Sequence, residues 1–192
     1  MIYIVTTSDL TKYRGDSIRI AALSCGLSRH LNETVNLVFP IRYKDEKSTI
    51  LSEFDSKKLN LIGMPVKSDI ASRAGLVNSL IKIRRYLKNI NFKNDLIQVE
   101  GSVVGRALAS LGLKKYIVDV HGLCFEELVH NYPQKFINIP YKQLMYNIER
   151  NGIKKAKIIL ALSSFMKHFL ITSTRLSVTQ FTPSTMFFHK IW

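Results

Sequence analysis

Residues 95–122, DLIQVEGSVVGRALASLGLKKYIVDVHG, place two short apolar runs on either side of a stretch rich in small residues. DLIQVEG predicts a strand ending at Glu100 and Gly101, SVVGRALASLGL a short helix packed through its small residues, and YIVDVHG, from Tyr116, a second strand. Runs of this length, apolar throughout and rich in β-branched residues, are how strands buried on both faces look in sequence. Strands buried on both faces belong to parallel sheets covered by helices.

The same alternation extends toward both ends. Met1 to Val5 predicts a buried strand running into the polar loop TTSDLTKYRGDS. A helix follows, with Ile20, Leu23, Leu27 and Leu31 forming one buried stripe and Asp16 or Ser17 capping its first turn. VNLVF, residues 35–39, predicts a strand ended by Pro40; residues 42–58 are charged and aperiodic, a loop; Leu59 to Met64 predicts a shorter strand. Leu76, Leu80, Ile83, Leu87 and Ile90 recur at steps of four and three, a strong helical face, with Lys82, Arg84, Arg85 and Lys88 directed elsewhere. Beyond a loop containing Pro133 and Pro140, Tyr141, Leu144, Met145 and Ile148 begin a helix reaching about Lys155. KIILALSS then predicts a strand entering a helix around Phe165 to Leu170. The expected fold is α/β: a doubly wound, Rossmann-like parallel sheet with helices on both faces.

The 192 residues fit one domain. Lys and Arg number 28 against 14 Asp and Glu, a net charge of +14 that attracts anions of any kind: nucleic acid, acidic headgroups or phosphorylated small molecules. The basic residues are scattered, as on solvated faces. The two cysteines, Cys25 and Cys124, have no metal-ligand spacing; their scarcity fits a reducing compartment, and one disulfide between them is the alternative. The N-terminal apolar stretch is too short for a signal-peptide core, and no run approaches the roughly 20 apolar residues of a spanning helix. The expected location is the cytoplasm, with peripheral contact at the inner face of the membrane.

In an open parallel sheet, ligands bind beyond the carboxyl ends of the strands. Here those segments are residues 6–15, 100–102, 121–127 and 163–164. The Walker phosphate loop, the dinucleotide G-x-G-x-x-G and the G-x-S-x-G nucleophile elbow are all absent. His121, at a strand end before Gly122, has two readings: a ligand for a sugar hydroxyl or phosphate oxygen, or a side chain capping local backbone. Glu126 and Glu127 read as carboxylates in the first turn of a helix. Metal binding by His121 with Cys124 lacks further ligands of sensible spacing, so no metal is expected. Glu149 reads as a surface salt-bridge residue. Tyr86 among the basic residues 82–88 could stack a base, but no nucleic-acid motif accompanies it.

The early strand with its Gly-containing loop, the VDVHGLCFEE segment and above all YNIERNGIKKAKIILALSSFMKHFL resemble the N-terminal, acceptor-side domain of retaining family 4 glycosyltransferases of the GT-B fold. The matching positions are Asp119, His121, Gly122, Glu126, Glu149, Lys155, Ala156, Ile158 to Leu162, Ser163, Ser164, Met166 and Lys167. The resemblance covers residues 1–171. It implies transfer of a sugar from a nucleotide-sugar donor, a co-substrate with no further cofactor, to a polysaccharide or lipid-linked acceptor.

It also implies that Arg14 and Gly15 approach the donor diphosphate and that His121 reaches the transferred sugar, with Gly122, Glu126 and Ser163 among the binding residues. Two positions depart from the pattern: the family's glycine pair is reduced to Gly15, and Lys157 stands where many members have Asp. Members carry a second Rossmann-like domain holding most donor contacts, so the implied partner is a separate C-terminal half. Residues 172–192 contain no acidic residue and at most one strand, around Val178 to Phe181; they read as a truncated or frame-altered end, or a short docking tail. The alternative function is a non-catalytic basic module for anionic membrane or nucleic acid.

Overall fold

A computed structural model describes residues 1–8, 10, 14–31, 33–41, 58–65, 73–92, 95–122, 139–174 and 181–183. The order of elements among them is β1 (Ile2–Val5), α1 (Gly15–His30), β2 (Val35–Pro40), β3 (Leu59–Met64), α2 (Arg73–Lys88), β4 (Leu96–Glu100), α3 (Ser102–Ser110), β5 (Tyr116–Val120), α4 (Ile139–Lys154), β6 (Ile158–Ala161), α5 (Ser164–Thr174) and β7 (Phe181–Pro183).

The strands form one sheet in the order β3-β2-β1-β4-β5-β6-β7, and every neighbouring pair is parallel. Strand order reverses between β1 and β4, so the carboxyl ends of those two strands flank a topological switch point. The expected doubly wound sheet is present. Period-two alternation divides its side chains between two apolar layers. Ile2 and Ile4 of β1 join Val35, Leu37 and Phe39 of β2 and Ile20 and Ala21 of α1 on one face. Tyr3 and Val5 join Val99, Val118 and Ile159, with Ile83 and Leu87 of α2, Val104 and Leu108 of α3 and Met145 and Ile153 of α4, on the other. Tyr3 and Phe92 meet edge to face, ring centroids 5.0 Å apart.

Several elements depart from the sequence expectation. α1 buries its expected stripe only in part: Ile20 is in the core layer and Leu23 and Leu27 pack against it. Leu23 and Leu27 are half-buried and Leu31 is exposed, whereas Ser17, Ala21, Ser24, Cys25 and Ser28 are buried with Ile20. Small side chains let the helix lie close against the sheet, and their hydroxyls are satisfied within the helix: Ser24 donates to the Ile20 carbonyl (2.7 Å) and Ser28 to that of Cys25 (2.9 Å). The α1 N-cap is Arg14, with no side-chain cap bond, and not Asp16 or Ser17. Pro140 is the second residue of α4 and not part of the preceding loop; a first turn tolerates proline because its N–H has no helical partner there. β3, apolar by sequence, is only partly buried, as an edge strand is.

α3 and α4 cross with their backbones almost touching. A Cβ on Gly152 would lie 2.1 Å from the Ser102 carbonyl oxygen and 2.8 Å from the Arg106 nitrogen; one on Gly105 would lie 2.9 Å from the Gly152 oxygen. Tyr116 fastens the crossing from the sheet, its hydroxyl donating to the Gly152 carbonyl at 2.6 Å. Burial pushes that phenol well above its ordinary pKa. The last strand lies at Phe181–Pro183, three residues beyond where the sequence placed its start, and pairs with β6. Residues 42–57 and 123–138 lie outside the described residues.

Candidate functional site

β4 and β5 are apolar runs interrupted by one acid each: Glu100 closes β4, and Asp119 precedes the last residue of β5. In the parallel register these two residues are direct partners, so two buried carboxylates stand side by side on the α1 face of the sheet. Two unpaired buried anions would be prohibitive. The cation that compensates them comes from α1. Arg19, one turn inside the helix, donates from Nη1 to Asp119 Oδ2 at 2.7 Å and from Nη2 to Glu100 Oε2. Its Nη2 also lies 3.1 Å from His121 Nδ1. Gln98, two residues before Glu100 on the same face, donates to Glu100 Oε1 at 3.1 Å.

One guanidinium thus ties α1 to the carboxyl ends of β4 and β5, beside the switch point. Burial and the neighbouring Asp119 raise the Glu100 pKa to about 7, although Arg19 and Gln98 pull it down. Arg19 moves above its ordinary value: Glu100 and Asp119 outweigh its own desolvation. Glu100, Asp119 and His121 present ligand atoms within 4.8 Å of one another, a spacing a metal ion could use; the cation among them here is the guanidinium.

The sequence-predicted positions distribute around this cluster. His121 and Gly122 follow β5 directly, and His121 belongs to the cluster, its Nδ1 being 3.6 Å from Glu100 Oε2. Arg14 and Gly15 open α1 on the same edge of the sheet; both are exposed, and a Cβ on Gly15 would meet open space. Ser163 follows β6, and its hydroxyl accepts a bond from the Met166 N–H at 3.1 Å, which makes it the cap of α5. Glu126, with Glu127 and Cys124, lies outside the described residues. Glu149 is not on the surface: it is buried on the inner face of α4 beside Ile148 and Ile153. Arg19 was missed by sequence reasoning. Its signal was indirect, since acids in otherwise apolar strands require a cation from elsewhere in the chain.

No protein-family model matches the sequence, and no curated protein matches it. Solved structures do. A UDP-N-acetylglucosamine 2-epimerase superposes with a TM-score of 0.60 at 14% identity, covering 94% of this chain and 44% of the epimerase. The N-terminal domain of trehalose-6-phosphate phosphatase from Candida albicans gives 0.57 at 12% identity, with 91% and 42% covered. A glycosyltransferase from Rickettsia africae gives 0.54 at 16% identity, with 95% and 41% covered. The chain therefore spans less than half the length of each of these structures. At such identities the likeness is one of fold, and the fold is a Rossmann-like half of the GT-B type.

Proposed function

We propose that this chain is the acceptor-side domain of a glycosyltransferase, moving a sugar from a nucleotide-sugar donor to a polysaccharide or lipid-linked acceptor once a donor-binding half completes the cleft. The observation that supports it most is the Arg19–Glu100–Asp119–His121 cluster at the carboxyl edge of β4 and β5, beside the switch point. Ligands of open parallel sheets lie at that place, and a fixed array of donors and acceptors suits a polyhydroxylated substrate. In this reading His121 contacts the transferred sugar, Gly122 leaves room for its approach, and Arg14 and Gly15 face the donor diphosphate. Glu126 and Ser163 are further substrate-binding residues. The nucleotide sugar is a co-substrate, and the Arg19 guanidinium supplies the positive charge between the two carboxylates.

The outer face of α2 exposes Lys82, Arg84, Arg85 and Lys88, which favours an anionic, lipid-linked acceptor at a membrane surface. No helix among the described residues is long and apolar enough to cross a membrane.

The test is reconstitution of the chain with a separately produced donor-binding half encoded beside it, followed by nucleotide-sugar turnover. The expected result is hydrolysis or transfer by the pair that His121→Ala lowers about 10-fold, the worth of one good hydrogen bond in the transition state. A pair that neither associates nor turns over any nucleotide sugar would overturn the reading.

A further inference from the structure

We infer that Arg19 is a positioning residue that holds His121 as the neutral tautomer carrying its proton on Nε2, so that the imidazole offers an N–H to an oxygen of its ligand instead of accepting a proton there. A guanidinium has five N–H donors and no acceptor. The 3.1 Å contact between Arg19 Nη2 and His121 Nδ1 is therefore a bond in which Nδ1 lends its lone pair, and the ring proton resides on Nε2.

The same Nδ1 faces a competing partner of opposite demand. Glu100 Oε2 stands 3.6 Å away and, as an acceptor, would draw the proton to Nδ1. Distance decides between them. At 3.6 Å the carboxylate is outside hydrogen-bond range, whereas Arg19 Nη2 is within it and engages the same Oε2. The guanidinium cannot drift from that position easily, because Asp119 holds its other nitrogen at 2.7 Å and Gln98 fixes the far oxygen of Glu100 at 3.1 Å. Four residues on three elements thus set one proton. That the acceptor of the Nε2–H is a sugar oxygen rests on the proposed function; the tautomer itself does not.

The experiment is two-dimensional 15N NMR of the imidazoles in the intact labelled chain at about pH 8, where histidine is mostly neutral. The His121 signals are assigned by their absence from His121→Ala. The expected result is an unprotonated Nδ1 and a protonated Nε2. In Arg19→Met the hold on the Nδ1 lone pair is lost, and an Nδ1–H population is expected to appear. Arg19→Lys, which keeps a cation without the fork, supplies the same comparison should the Met variant not fold, with a rise in the Nδ1–H population. A wild-type spectrum showing Nδ1–H or imidazolium, or a folded Arg19 variant with an unchanged tautomer, would overturn the inference. Failure of any sugar nucleotide to bind would touch only the proposed function.

Discussion

Arg19→Met removes the cation that Glu100 and Asp119 share, and the cost can be worked from the cluster. The Glu100 side chain is 1% exposed and that of Asp119 12%, while Arg19 is 24% exposed and partly screened. Breaking a buried pair by deleting one partner costs about 3–5 kcal/mol; partial exposure of the arginine places this case near the lower end, about 3 kcal/mol at pH 8. Acid relieves the penalty. Glu100 already has its pKa raised from 4.5 to about 7, so its native form holds a proton that the unfolded chain releases.

Between those two values the native state binds more protons than the unfolded state, and stability falls as pH rises, by on the order of 1 kcal/mol per pH unit. Without Arg19 the folded value rises further and the window extends to higher pH. The destabilisation relative to wild type should therefore be greatest near pH 8 and shrink to about 1 kcal/mol near pH 5.5. Urea unfolding followed by circular dichroism at both pH values measures it. The double variant Arg19→Met with Glu100→Gln should recover about half of the loss at pH 8, because the amide needs no counter-charge. A loss below about 1 kcal/mol at both pH values, or one larger in acid, would refute the electrostatic reasoning.

Gly152→Ala should lower stability by about 3 kcal/mol or prevent folding, because its methyl would meet the Ser102 backbone and not a movable side chain; thermal unfolding reads the shift. Ser163→Ala should cost about 1 kcal/mol through the lost α5 cap and Ser163→Gly only a few tenths, so a ligand affinity lost equally in both would reveal a role beyond capping. Neutralising Arg84 and Arg85 together as glutamines should lower partition onto anionic vesicles by on the order of 10-fold at low salt and leave neutral vesicles unaffected. Sedimentation with the two lipid compositions reports the difference.

The order of elements was legible because buried parallel strands leave uninterrupted apolar runs and helices leave a three-to-four step, and both survive in a single sequence. α1 shows where that signal weakens. Periodicity gives weight to leucines, yet the face packed on the sheet is built from Ser17, Ala21, Ser24, Cys25 and Ser28, whose small volumes matter more than their hydropathy. Glu149 misled for a related reason: a charged residue beside Arg150 looks solvated, although its place on the helix stripe next to Ile148 and Ile153 carries it inside. At the site, His121 could be found from its position after a strand. Its neighbours could not, because Arg19 meets Glu100 across 81 residues of chain and Asp119 across 100, and no local spacing encodes such a meeting. The register of β4 on β5, which sets Glu100 beside Asp119, comes from strand pairing alone.

The close crossing of α3 and α4 bears on the stiffness of the frame that carries the cluster. With glycines at the contact no side chain acts as a compliant spacer, and the two helices behave as one stiff plate fastened to β5 by Tyr116. Glu100, immediately before α3, and Asp119, on β5, ride on that plate. Arg19 belongs to the opposite face. Its guanidinium, held by Asp119 and by a Glu100 that Gln98 fixes in turn, is the rivet that joins α1 to that plate through the carboxyl edge of the sheet.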